Sequence, residues 1–192
     1  TWVEPMLATL VHEYFDHPDW IYERKLDGQR CLVFKKGNQV SMYSRNHNSL
    51  NERFPELLDS LKKMCPEDFV ADGEIVAMDG KITSFSKLQP RMHSSKPDLS
   101  VPVKLYLFDL LHFGRLDFTQ VPLRARKSVL KSRLRFRDPI RFTPHRNQRG
   151  TAFLREAQEK GWEGLIAKDA GSAYVPARSI TGSTIPSSAR GT

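Results

Sequence analysis

A chain of 192 residues with 39% hydrophobic and 27% charged side chains can build one domain with a real core and is too short for two full ones. No apolar run approaches the roughly 18 to 20 residues that cross a bilayer, and Thr1-Trp2-Val3-Glu4-Pro5 lacks the basic-then-apolar layout of a secretory leader, which argues against an integral membrane protein. Cys31 and Cys65 alone make neither a disulfide scaffold nor a cysteine metal cluster, and fit a reducing compartment. The net charge of +8 is local: Arg124 to Arg149 holds ten Lys and Arg against Asp138, a net +9, and the rest of the chain sums to −1. Such a stretch is either the solvated face of a helix or a surface for nucleic acid.

Taken in order, Trp20 to Leu26 alternates as a strand, and Cys31 to Phe34 and Val40 to Tyr43 form a hairpin about a Gly37-Asn38 turn. Phe54, Leu57, Leu58, Leu61 and Met64 recur at helical spacing, with Asn48 or Ser49 as the expected cap and Pro66 beyond the end. Phe69 to Met78 and Val101 to Leu111 read as strands, and the polar Gln89 to Ser100 between them reads as a mobile loop. Leu123, Val129, Leu130 and Leu134 give the basic stretch an apolar stripe, so its first half is expected to be a docked helix with its charges facing out. A second helix over Thr151 to Lys160 should stop at a left-handed Gly161, followed by a strand from Trp162 to Lys168. With no internal repeat and few helices among many strands, the fold class is α+β on antiparallel sheets.

The most informative run is Glu23-Arg24-Lys25-Leu26-Asp27-Gly28-Gln29-Arg30, where a strand enters a turn and returns. Asp27-Gly28 alone is a good hairpin turn, and its flanking cations can be ordinary surface residues. A chemical reading is also open. A lysine at a strand end beside a glycine turn can approach a phosphate closely, and Arg24 and Arg30 are candidates to lower its pKa and make it nucleophilic.

This run resembles the first motif of the ATP-dependent DNA ligases, within the covalent nucleotidyltransferases that also include RNA ligases and mRNA capping enzymes. Ser44-Arg45-Asn46, Asp72-Gly73-Glu74, Tyr106-Leu107-Phe108-Asp109 and Glu163-Gly164-Leu165-Ile166-Ala167-Lys168 resemble the motifs that follow, in the same order. Pro5-Met6-Leu7-Ala8 and Ser172-Ala173-Tyr174-Val175-Pro176 further resemble the ligase module of bacterial nonhomologous end-joining ligases. The resemblance implies a nucleotidyltransferase, ATP-grasp-like fold, with antiparallel sheets flanked by helices and a nucleotide pocket between them. It implies that Lys25 attacks the α-phosphate of ATP, that the AMP passes to a DNA 5′-phosphate, and that a 3′-hydroxyl then seals the nick.

The same resemblance places Glu23 at the adenine, Arg30 at the sugar edge, Glu74 at the ribose hydroxyls and Phe108 on the adenine face. Arg45 would hold the phosphate of the nick, and Lys168 would reach the α-phosphate. Glu163, helped by Asp27 and Glu74, would hold Mg²⁺ or Mn²⁺, since hard cations prefer oxygen ligands. Lys25, Asp27, Arg30 and Lys168 form the expected catalytic set, and Arg45, Arg124, Arg126 and Lys127 the expected DNA contacts. Nicked double-stranded DNA is the expected partner of a monomer in the cytoplasm, associated with a bacterial nucleoid. His93, His112 and His145 have no metal-ligand spacing, and Trp162 reads as core.

After Arg178-Ser179 the family pattern continues into a strand with two lysines that contact the α-phosphate. Residues 180–192 contain no lysine and are rich in Ser, Thr and Gly. The expectation is therefore an adenylation domain over residues 1–179, cut before its last motif, and a disordered tail over 180–192 from a truncation or a frameshift. An OB-fold domain that family ligases carry after this point is expected to be missing. On that reading ATP binds but Lys25 is adenylated slowly or not at all. The alternatives are an RNA ligase, a capping guanylyltransferase, or a noncatalytic module that binds nucleotide or DNA.

Overall fold

The computed structural model describes residues 2–10, 15–80, 82–93, 98–175 and 178–186. In chain order the elements are β1 (Leu7–Leu10), β2 (Trp20–Arg24), β3 (Gln29–Lys36), β4 (Gln39–Tyr43), α1 (Pro55–Lys62), β5 (Phe69–Asp79), β6 (Ile82–Thr83) and α2 (Phe85–His93). They continue as β7 (Val103–Phe113), β8 (Leu116–Asp117), α3 (Leu123–Arg133), β9 (Ile140–Phe142), β10 (His145–Asn147), α4 (Gly150–Glu159), β11 (Gly164–Asp169) and β12 (Arg178–Pro186).

Among the described residues the strands form two sheets. One runs β1-β12-β11-β2-β10; the other runs β4-β3-β5-β7-β8, with β6 on β5 and β9 on β7. Pairing is antiparallel except for β1 with β12 and β7 with β9. This is the α+β architecture on largely antiparallel sheets that the alternating short runs imply.

Period-two alternation divides the larger sheet between core and cavity. Cys31, Val33, Ala71, Ile75, Ala77, Val103, Leu105 and Leu107 point into a core closed by Leu57 and Leu61 of α1, Leu88 of α2 and Leu130 of α3. The intervening Arg30, Asp72 and Glu74 line the opposite face, beside the cavity. In the smaller sheet Tyr22, Leu165 and Ala167 pack on Phe153, Leu154 and Ala157 of α4. That helix comes close because Gly150 has no Cβ, which would lie 2.3 Å from the Tyr22 ring.

Four local expectations change. Neither Asn48 nor Ser49 caps α1; its N-cap is Phe54, with Pro55 pre-setting the first turn. Residues 89–93 of the expected loop are helical in α2, which accommodates Pro90, while residues 94–97 lie outside the described residues. The basic helix does not turn all its charges outward, because Arg126 and Lys127 are buried among its inner residues. Residues 180–186, expected to be disordered, continue β12, since a Ser, Thr and Gly segment still offers backbone groups for pairing to β11 and β1. The rest of that expected tail, residues 187–192, lies outside the described residues.

Candidate active site

A cavity of about 260 Å³ lies between the two sheets, lined by Glu23, Lys25, Arg30, Glu74, Phe108 and Lys168 among others. Four segments far apart in sequence thus converge, with Glu23, Lys25 and Arg30 from one and Glu74, Phe108 and Lys168 from the others. Lys25 follows the last residue of β2, where its backbone N–H donates to Gly164 O at 2.9 Å. Glu23 and Ile166 are register partners across β2 and β11, and Arg30 and Glu74 are partners across β3 and β5. Gly28 permits the return of the chain: a Cβ there would lie 2.1 Å from Ile75 O. Its value is close backbone packing against β5.

Lys25 Nζ contacts Glu163 Oε1. Both side chains reach solvent, at 26% and 44% exposure, so the ammonium stands at the mouth of the cavity. The two arginines expected to flank it are engaged elsewhere. Arg24 lies 4.7 Å over the Trp162 ring, and Arg30 donates to both Asp72 oxygens at 2.6 Å and to Met6 O at 3.0 Å. The activation of Lys25 by these neighbours is therefore corrected: the group that meets the amine is a carboxylate.

Deeper in the cavity a buried charge chain forms. Glu23 is 2% exposed, with Lys168 Nζ donating to Oε2 at 2.6 Å and Lys127 Nζ 2.5 Å from Oε1. Burial alone would raise the Glu23 carboxyl, but the two ammoniums hold it below its usual range. Burial likewise acts to lower Arg30, and Asp72 outweighs it to keep the guanidinium firmly charged. Tyr174 Oη donates to Asp72 Oδ2 at 2.6 Å, its phenol pushed up by burial and by the Asp72 charge. Phe108 presents its ring to Lys168 at 4.3 Å and Arg30 at 4.8 Å.

Glu74 differs from the acceptor anticipated for ribose hydroxyls. Burial, opposed in part by Arg30 and reinforced by Asp72, pushes its carboxyl up to about 8. At neutral pH it carries a proton and can donate as well as accept a hydrogen bond.

Asp27 is not part of the cavity lining. Its Oδ2 accepts from Phe85 N–H at 3.0 Å at the first turn of α2, and its own N–H donates to Thr83 Oγ1 at 3.1 Å. Asp27 thus anchors the first turn of α2. Among the described residues no cluster of three His, Cys, Asp or Glu could hold a metal ion. The residues instead fit a divalent cation held by Glu163 with substrate phosphates and water, the usual arrangement for Mg²⁺.

Of the expected DNA contacts, Arg45 and Arg124 are exposed. Arg45 lines a second concavity that shares Arg30 and Glu74 with the first. Arg126 and Lys127 are each 1% exposed, so they are corrected to internal ties. Arg126 donates to Asp109 at 2.7 and 2.9 Å and to Val121 O and Ser172 O at 2.5 and 2.8 Å. Asp72, Asp109, Tyr174 and Thr143 enter the site region without a role anticipated from the sequence. Asp72 was accessible from its two-residue spacing to Glu74, whereas nothing local marks Thr143.

The family model of the ATP dependent DNA ligase domain matches residues 5–182. The chain is similar to the SPbeta prophage-derived DNA ligase-like protein LigB of Bacillus subtilis, at 35% identity over 90% of this chain and 62% of that protein. It is 32% identical to DNA ligase C of Mycobacterium tuberculosis, over 93% of this chain and 52% of the relative. A mycobacterial DNA ligase D complexed with ATP and MES superposes with a TM-score of 0.80 at 25% identity, over 95% of this chain and 59% of that one. The Chlorella virus DNA ligase-adenylate shares the fold, with a TM-score of 0.68 at 17% identity over 95% of this chain and 67% of that one. The chain thus spans about 62% or less of the length of these curated relatives.

Proposed function

The chain belongs to the ATP-dependent DNA ligase domain family, and on that footing we propose that it is the adenylation domain in which Lys25 takes AMP from ATP. The observation that carries this reading is Lys25 at the mouth of a cavity whose depth holds Glu23, Phe108 and Lys168.

Attack requires the Lys25 ammonium to lose a proton, and the Glu163 carboxylate touching it is the acceptor at hand. The nitrogen lone pair forms a bond to the α-phosphorus as the bond to the bridging oxygen breaks, giving a phosphoramidate and pyrophosphate. Lys168 is the cation next to the adenine-facing Glu23, and Phe108 offers a stacking face. If Mg²⁺ is bound, Glu163 would be the residue to hold it, and the ion would supply charge neutralisation for the substrate phosphates. Transfer of AMP to the 5′-phosphate of nicked duplex DNA in the cytoplasm completes the proposal, with Arg45 and Arg124 as the exposed phosphate contacts.

The lysine-free segment after Ser179 sets the expected pace. On β12 Gly182 stands opposite Lys168 in register, where no additional cation is supplied. Losing one preorganised charge contact typically slows such a step about 10²-fold or more, so adenylation is expected to be slow. Intact mass after incubation with ATP and Mg²⁺ tests both parts. A slow gain of one AMP that Lys25→Ala abolishes supports the proposal; an adduct that persists in Lys25→Ala refutes the assignment. Rapid stoichiometric labelling of the wild type would refute the importance of the absent lysines.

A further inference from the structure

The loop that carries Arg45 contains a local conflict. Ser44 N–H donates to Asn48 O at 2.9 Å and His47 N–H donates to Ser44 O at 3.0 Å, so residues 45–47 form a three-residue hairpin loop after β4. His47 takes its left-handed third position, at φ 60°, where glycine would sit without strain. The imidazole makes contacts that glycine could not. Its ring stacks on Trp2, with centroids 3.9 Å apart and planes at 23°, and meets Tyr43 of β4 edge-on at 4.9 Å. Trp2 in turn stacks on Phe34 of β3 at 6.1 Å and meets Tyr43 edge-on at 5.9 Å. The segment that follows Trp2 is fixed at the nucleotide cavity: Met6 O accepts from Arg30 at 3.0 Å, and Met6 N–H donates to Tyr174 Oη at 3.2 Å. Leu7 lines both concavities. Arg45, the first central residue of the turn, thus stands two residues from a ring held by a segment anchored between the two pockets.

We propose that Trp2 and His47 are positioning residues: their stack clasps the hairpin loop, so that the exposed Arg45 meets a DNA phosphate with its turn already ordered. Ordering a loop and a long side chain on binding lowers affinity, by about two- to tenfold for each side chain immobilised, and a loop held beforehand avoids part of that cost. The stack supplies the hold from outside the loop, since His47 is exposed at the loop and Trp2 is half-buried on the sheet. Ser44, Arg45, Asn48 and Arg53 line the second concavity, whose polar wall suits an anion. This inference rests on Arg45 contacting a phosphate of the nick, as proposed above.

Equilibrium binding of the full chain to a nicked duplex bearing a 5′-phosphate, against the same duplex with a 5′-hydroxyl, tests it beside the melting temperature. Arg45→Ala is expected to lower the preference for the phosphate about tenfold, the loss of one charge-assisted contact. His47→Gly is the discriminating variant. Glycine relieves the left-handed strain and offsets the lost stack, so the melting temperature should stay near that of the wild type, yet the preference should fall about two- to tenfold. Trp2→Ala should lower the preference to a similar extent, and Trp2→Phe, which keeps a ring against His47, should retain it. A preference lost in Arg45→Ala but kept in His47→Gly and Trp2→Ala overturns the inference and leaves the assignment of Arg45 standing. A preference that falls only in variants that also melt lower would assign the stack to stability alone and overturn the inference too. A wild type without the preference, or an Arg45→Ala chain that keeps it, removes the assignment of Arg45 and the inference with it.

Discussion

Replacing Arg126 with methionine separates an internal tie from a DNA contact. The guanidinium is 1% exposed and satisfies both Asp109 oxygens together with the carbonyls of Val121 and Ser172. Methionine fills much of the space and returns none of these bonds. Asp109, itself 5% exposed, keeps one backbone donor, the N–H of Leu110 at 2.9 Å, and no cation. Removing one partner of a buried ion pair costs about 3–5 kcal/mol because a charge is left uncompensated. For a domain of this size each kcal/mol lowers the melting temperature by about 2–4 °C, so the expected loss is on the order of 10 °C. Exposed Arg124→Ala is expected to stay within about 0.5 kcal/mol of wild type. In Arg126→Met combined with Asp109→Leu the stranded charge is gone, and much of the loss should be recovered. Urea unfolding of the four proteins, with DNA affinity measured in parallel, decides the matter. If Arg126→Met unfolds with the wild type and loses DNA affinity, the internal assignment is wrong.

Glu74 sets a pH dependence of known sign. Its folded carboxyl is raised to about 8 from an ordinary 4.5, so the folded state keeps a proton that the unfolded chain releases. The associated stability is present below pH 4.5 and is lost as pH climbs towards 8. Glu74→Gln should flatten that decline in urea midpoints taken from pH 5 to 8, and parallel curves for variant and wild type would trace the decline to other groups. Gly28→Ala should destabilise by about 1–3 kcal/mol, since its Cβ would sit 2.1 Å from Ile75 O and 2.8 Å from Val76 Cγ1. Thermal melting reads the loss, and an unperturbed melting temperature would show that β3 and β5 can separate at this point at little cost.

Much of the site was legible because its parts are periodic. Arg30 and Glu74 each stand next to a core residue of their strand, Cys31 and Ile75, and alternation sends them to the face opposite the core. Lys25 stands at a strand end marked by Asp27-Gly28. Helix α3 was harder to read. Its inner residues are Leu123, Arg126, Lys127 and Leu130, the i, i+3, i+4, i+7 stripe of an ordinary buried face, but two of the four are cations. Their partners, Asp109 and Glu23, lie on strands 17 and 104 residues away, so no local window displays the compensation that lets them go inside. Residues 180–186 failed for a related reason: composition reports what side chains contribute, whereas β12 is held through backbone pairing to β11 and β1.

The order of the strands carries a consequence for how the pocket comes into being. Every strand of the larger sheet falls between residues 29 and 142, one continuous stretch whose pairings close on themselves. The smaller sheet takes β1 and β2 from before that stretch and β10, β11 and β12 from after it. A chain emerging from synthesis can complete one wall of the cavity while the other is two loose strands awaiting partners. Lys25, which sits where β2 hands over to the larger sheet, is made early but meets Glu163 only when the late strands arrive. The capacity to receive a nucleotide is therefore a late event in assembly, coincident with the meeting of the two ends.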